Sequence, residues 1–342
     1  MSDPAPLLPP GDADAAHPYA RLTPDLVLDA LDRAGLPGDG RLLQLNSYEN
    51  RVFQAFLDSG EAVVIKFYRP DRWSDAQILE EHAFALELAA EEIPVVAPLA
   101  LPALPAGSTL AEHAGFRFAV YPRRGGRAPE LEDPETLEWL GRFLGRLHAV
   151  GRRKPFVHRP PLDLQTFGIA SRDWLAAHDC VPPDVRPAWD DALARALDLV
   201  AQRFDAVPDL VTLRLHGDCH LGNILWTPAG PHFVDLDDAR MGPAIQDLWM
   251  LLSGDLAAMQ RQLADVLAGY EQFASLDRRE LQLIEPLRTL RIVHHCAWIA
   301  RRWSDPAFPP AFPWFGSSSY WSEQVVRLRE QVEAMQDTSS EP

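Results

Sequence analysis

Between His216 and Asp238 the chain sets an aspartate, an asparagine and a second aspartate where a short hairpin would bring their oxygens to one mouth. The run His216-Gly217-Asp218-Cys219-His220-Leu221-Gly222-Asn223 leads into an apolar strand candidate at 223–226. A turn at Pro228-Ala229-Gly230 follows, and the chain returns through a second candidate at 232–235. Asp218 and Asn223 then sit at the two ends of a tight loop, and Asp235 closes the returning strand. Phosphoryl transfer asks for such a set, because its transition state gains more from positioning and charge neutralisation than from covalent help. Asp218 is placed to accept or orient the proton of an attacking hydroxyl. Asn223 and Asp235 offer a neutral and an anionic oxygen to magnesium, a small, hard cation. Singly, each aspartate would read as a turn residue or cap; the ordered set argues against that. Zinc held by His216, Asp218 and His220 is a poorer match, since no second His/Cys cluster accompanies them.

A nucleotide must also be held. Lys66 is the only lysine in the first hundred residues and lies inside the apolar strand candidate 62–68. A lysine there needs a partner, and the helix predicted at 75–90 offers Glu81, which shares a face with Phe84 and Leu88. On that helix Leu79, Ala83, Leu86 and Ala90 are assigned to the apolar face, and Glu80, Glu87 and Glu91 to a charged stripe. The loop joining the first two strands, Leu45-Asn-Ser-Tyr-Glu-Asn-Arg-Val52, contains no glycine. Ser47 and the backbone around it are therefore the expected nucleotide contact, in place of a glycine-rich flap.

The elements that position these groups fall into two parts. Strands at 42–45, 51–57, 62–68 and 116–121, with the helix at 75–90, predict a small antiparallel sheet domain. A short helix from Thr23 to about Ala34 precedes it, with Thr23 as N-cap and Pro24 in the first turn. Beyond Pro122 the pattern turns helical, at 134–150, 186–204, 244–252, 259–273 and 280–303. The expected fold is α+β and two-lobed, kinase-like. A disordered leader at 1–18 precedes a nucleotide-binding N-lobe at 19–121; a catalytic C-lobe at 122–335 ends in a frayed tail at 336–342. Asp218 and Asn223 have the spacing of the Asp and Asn in the protein-kinase loop H-R-D-x-x-x-x-N. Gly217 replaces that Arg, which implies activity without a phosphorylated activation loop.

Composition narrows the partners. A net charge of −17 argues against nucleic acid. No apolar run reaches membrane-spanning length, and the start lacks a signal-peptide pattern. Three scattered cysteines fit reduced thiols in the cytoplasm. Cys219, beside Asp218, reads as a packed thiol rather than a redox switch.

With these segments placed, the chain resembles the aminoglycoside phosphotransferase/choline kinase superfamily, through HGDxHxxN and the later Gly242-Pro243-Ala244-Ile245-Gln246-Asp247-Leu248. Within it, the chain is most similar to the bacterial stress response kinase A family. LNSYENRV (45–52), VIKFYRPDRW (64–73), QILEEHAFALEL (77–88), LRLHGDCHLGNILW (213–226), FVDLDDARMGPAIQDLWMLL (233–252) and RRWSDPAFPPAFPW (301–314) carry the similarity. It implies a cytoplasmic, monomeric, ATP- and magnesium-dependent serine/threonine protein kinase linked to stress protection. Carried over, Asp218 is the proton acceptor, Asn223 and Asp235 hold magnesium, Ser47 contacts ATP, and Asp247 braces the catalytic loop. The alternative is a small-molecule kinase for an aminoglycoside, choline or homoserine-type acceptor, which acids near Asp237 and Asp238 would suit. The intact set Lys66, Asp218, Asn223 and Asp235 speaks against a pseudokinase.

Overall fold

A computed structural model describes residues 17–337; the predicted leader up to residue 16 and tail from 338 lie outside it. Thr23 caps helix α1 (Pro24–Arg33) by accepting from the Leu26 amide. Strands β1 (Gly38–Leu45), β2 (Arg51–Leu57) and β3 (Ala62–Phe67) run antiparallel, and Gly60, with φ of +87°, makes the turn between β2 and β3. Helix α2 (Asp75–Ala90) begins in a capping box of Ser74 and Gln77. Strands β4 (Ala111–His113) and β5 (Phe116–Pro122) complete a five-stranded sheet of order β1-β2-β3-β5-β4, so β3, with Lys66, is its central strand.

The remainder is mainly helical: α3 (Pro134–Gly151), α4 (Ala170–Ala177), α5 (Arg186–Asp205), then short strands β6 (Leu213–Arg214), β7 (Ile224–Thr227), β8 (Gly230–Phe233) and β9 (Met241–Gly242). Helices α6 (Ile245–Trp249), α7 (Leu256–Tyr270), α8 (Ile284–Arg301), α9 (Phe308–Ala311) and α10 (Ser318–Gln336) follow. The antiparallel sheet and helical C-terminal part are the expected two-lobed, kinase-like α+β fold. Among the described residues no helix is long and apolar enough to cross a membrane.

Most predicted elements are present within a few residues; β4, α4, β6, β9, α9 and α10 were not anticipated. The predicted helix at 280–303 begins instead as a tight 3-10 turn, and α8 proper starts at Ile284. The apolar face assigned to α2 is a correction. Leu79 and Leu86 are exposed, and the buried residues are Ile78, Glu81, His82, Phe84, Ala85 and Leu88. Both stripes have helical spacing, and only the second meets the neighbouring layers: Phe84, Ala85 and Leu88 join the large core of the helical part. The charged stripe is not simply solvated either. Glu80 accepts from the backbone amides of Val157, His158 and Arg159, and Glu87 pairs with Arg214 and Lys154.

Candidate active site

The catalytic-loop candidate hangs between two anchors. Asp247, fully buried on α6, accepts from the backbone amides of His216 (2.8 Å) and Gly217 (2.9 Å) and faces the His148 Nε2 at 3.0 Å. His216 donates from Nε2 to the Val234 carbonyl at 2.9 Å, tying the loop to the chain leaving β8. The brace expected of Asp247 is thus formed by its carboxylate, and its position in the first turn of α6 is only half of its role.

Gly217 lies between these anchors with φ of +85°, and a Cβ there would stand 2.1 Å from the Asp238 carbonyl oxygen. The arginine of the kinase loop therefore has no space here as well as no backbone conformation. Gly217→Ala is expected to destabilise the fold by at least about 1–2 kcal/mol from the left-handed backbone alone. The collision with Asp238 adds to that, so a thermal melt should shift down by several degrees; an unchanged melting temperature would show that the loop relaxes freely.

The hairpin of β7 and β8 pairs Ile224 with Phe233, so Asn223 and Asp235 leave the same end. Asn223 donates from Nδ2 to the Asp218 carbonyl at 2.9 Å, which turns its amide oxygen the other way. Asp235 takes the left-handed conformation, φ 59° and ψ 63°, which aspartate tolerates better than most residues. Its carboxylate is half exposed toward the cleft, with Oδ1 2.8 Å from Lys66 Nζ. No hydrogen bond among the described residues reaches the Asn223 amide oxygen. One neutral and one anionic hard oxygen at the rim of an open cleft fit magnesium, which takes few protein ligands and keeps waters. Among the described residues, no cluster of three His, Cys, Asp or Glu has metal-site geometry.

Lys66 does not pair with Glu81 as expected. Its ammonium lies 2.8 Å from Asp235 and 3.1 Å from Asp237, whereas Glu81 stands 4.0 Å from Arg159. The 235–238 turn brings two carboxylates closer to the ammonium than α2 brings its glutamate. Burial works against the charged lysine, but Asp235 and Asp237 outweigh it and hold its pKa well above the usual value. Glu81 is buried, and that burial lifts its carboxyl from 4.5 to about 7 despite Lys66 and Arg159. A carboxyl whose pKa is raised on folding stabilises below its unfolded value and loses that contribution as pH climbs through the folded one. Between these two values the parent should lose stability relative to Glu81→Gln, measured by denaturant unfolding across that window; parallel curves would contradict it.

Ser47 is half-buried on the loop between β1 and β2 and lines the same cleft as Asp218, Asn223, Asp235 and Lys66. That cleft, of about 780 Å³, has the size of a nucleotide site. With no glycine to shape the loop, side chains do so. Glu49 binds Arg302 (2.7 Å), Arg69 (3.0 Å) and the Trp298 indole (2.6 Å). Asn50 donates to Asp237 and accepts from the Arg69 amide. Asp305 fastens the same region to Arg51 and Arg69, and His17 approaches it at 3.2 Å. The segment 303–321 accordingly packs more than it lines: Phe308, Phe315 and Trp321 are buried, and of its rings Phe312 reaches the cleft.

Several contributors were not read from the sequence. Asp237 and Asp238, offered as acids for a cationic acceptor, are spoken for: Arg72 binds both, Lys66 also binds Asp237, and Arg240 also approaches Asp238. Their neighbours drew no notice although Arg72 and Asn50 lie inside distinctive runs. Arg291, whose Nη1 is 2.6 Å from Asp218 Oδ1, had no local signal, being 73 residues away on a helix. Burial would raise the Asp218 carboxyl, yet His220 and Arg291 outweigh it and hold its pKa below the usual value, so it is ionised at neutral pH. Cys219 is fully buried, and burial pushes its thiol well up, which is the inert setting expected of a packed thiol.

Known proteins are similar to this chain in sequence and fold. Residues 41–284 match the phosphotransferase enzyme family. The chain is 46% identical to stress response kinase A of Escherichia coli K12, over 95% of this chain and 97% of that protein. It is equally identical, with the same coverage, to the serine/threonine protein kinase RdoA of Salmonella typhimurium. Among solved structures, an amicoumacin kinase in complex with AMP-PNP, Ca2+ and Ami superposes with a TM-score of 0.69 at 20% identity, covering 91% of this chain and 93% of that one. Choline kinase of Cryptosporidium parvum gives 0.59 at 10% identity, with 94% and 98% covered. These two likenesses are of fold.

Proposed function

Since the chain belongs to the phosphotransferase enzyme family and is a kinase-type phosphotransferase, we propose that it moves the γ-phosphoryl group of ATP, with magnesium, onto serine and threonine hydroxyls of proteins. The observation that carries this reading is the convergence of Asp218, Asn223, Asp235 and Lys66 on one cleft beneath the loop of Ser47. The N-lobe at 19–121 would hold the nucleotide over the C-lobe at 122–335, in a monomer acting in the cytoplasm as part of a stress response. The names of near relatives, a stress response kinase and a serine/threonine protein kinase, support the protein acceptor. So does the pairing of Asp237 and Asp238 with arginines, which removes the free acids a cationic small molecule would need.

Asp218 orients the acceptor hydroxyl and takes its proton as the oxygen bonds to the γ-phosphorus. The bond from that phosphorus to the β–γ bridging oxygen breaks, and ADP leaves. Lys66, held by Asp235 and Asp237, faces the phosphates, and Ser47 with its neighbouring backbone closes over them. Asn223 and Asp235 would hold magnesium, which would supply positive charge to offset that of the phosphates. Calorimetric titration with ATP tests the metal part. Removing magnesium should weaken binding about tenfold or more in the parent and much less in Asp235→Asn, a difference of about 1.4 kcal/mol; equal magnesium dependence in both would contradict the ligand role.

A further inference from the structure

Helix α8 walls one end of the cleft. Arg291, His294, His295 and Trp298 all line it from this helix, beside Asp218. Burial lowers the pKa of both histidines, to about 4 for His295, so neither carries charge at neutral pH. The other carboxylates near this wall are matched. Glu49 is held by Arg302, Arg69 and Trp298, and Asp237 and Asp238 by Arg72, Lys66 and Arg240. Arg291 differs from these arginines. Its single ion pair among the described residues is with Asp218, and its side chain is 41% exposed to the cleft.

An acceptor hydroxyl that approaches Asp218 meets this guanidinium on Oδ1. Arg291 must then give up part of a charge-assisted hydrogen bond. A nearby carboxylate or phosphate on the acceptor would replace that partner, and a nearby ammonium would not. Resting on the protein-acceptor reading above, we propose that Arg291 selects acceptors: it favours hydroxyls flanked by an anionic side chain and disfavours those flanked by cations. The positive charge that holds Asp218 in the absence of acceptor is released onto the acceptor when it binds. Selectivity here comes as much from repulsion of the wrong partner as from attraction of the right one.

Serine peptides that differ only in the flanking residue (glutamate, phosphoserine, alanine or lysine) provide the test, with transfer from labelled ATP as the readout. The parent should prefer the glutamate over the lysine peptide by about tenfold or more in kcat/KM, the size of effect a single charge contact gives. In Arg291→Gln that preference should fall to about one, mostly through a higher KM for the glutamate peptide. Arg291→Lys should keep it and Arg291→Glu should reverse it. Phosphoserine acting more strongly than glutamate would place a phosphorylated neighbour as the favoured anion; the two acting alike would place any acidic neighbour. An unchanged rank order in Arg291→Gln, with melting temperature and ATP binding intact, overturns the Arg291 assignment alone. Should the parent label none of the peptides and instead label an amino alcohol, the protein-acceptor reading fails and the assignment falls with it.

Discussion

Asp218→Asn is expected to lower kcat by about a thousandfold, within the range that loss of a general base produces. The asparagine keeps the shape of the side chain and leaves the loop's anchors, Asp247 and His216, untouched. What it loses is the group that can take the hydroxyl proton. The ion pair with Arg291 that it also loses is partly exposed and contributes little to stability, so ATP affinity and melting temperature should change little while turnover collapses. Steady-state phosphoryl transfer, with ATP binding and a thermal melt on the same sample, separates these effects. A kcat within tenfold of the parent would remove Asp218 from the chemistry.

The second large effect belongs to a residue that touches no substrate. Asp247→Ala should destabilise the protein by about 3–5 kcal/mol, because it strips partners from two backbone amides and an imidazole in a buried site, each worth about 1–3 kcal/mol when left unpaired. Water entry and relaxation recover part of that sum. The loop from His216 to Asn223 would no longer be held at a fixed height above the hairpin, so the surviving folded fraction should also turn over slowly. Chemical denaturation gives the first number, and activity normalised to folded protein gives the second. Asp247→Asn should lose less, since its amide oxygen can still accept one backbone bond. Equal stability of Asp247→Ala and the parent would mean that the brace carries no load.

Sequence periodicity and turn chemistry placed four of the five strands of the N-terminal sheet, the 75–90 helix and the 223–235 hairpin close to where they lie. The site residues were legible for the same reason. Asp218, Asn223 and Asp235 sit on one hairpin, and Lys66 stands out as a charge inside an apolar strand, so local spacing brings them together. Interactions between distant segments were not legible. The partner of Lys66 was sought on α2, where Glu81 does face inward, yet the 235–238 turn supplies closer carboxylates. The buried stripe of α2 was misassigned because two stripes of that helix have suitable spacing and only packing against the helical core decides between them. Arg291 and Asp305 act on segments far away in sequence, and nothing in their local runs marks them for that work. The glycine-free loop of Ser47 was legible as an oddity. Its cause, ion pairs from Glu49 and hydrogen bonds of Asn50 to both parts of the chain, was not.

Labelled ATP offered in one reaction to a generic protein acceptor and to aminoglycosides, choline and homoserine decides which class of hydroxyl this hairpin serves. Label should appear on serine and threonine of the protein, depend on magnesium, and vanish in Asp218→Asn. Label confined to one of the small molecules, with the protein left unmarked, would contradict the protein kinase reading while leaving the phosphotransferase site in place.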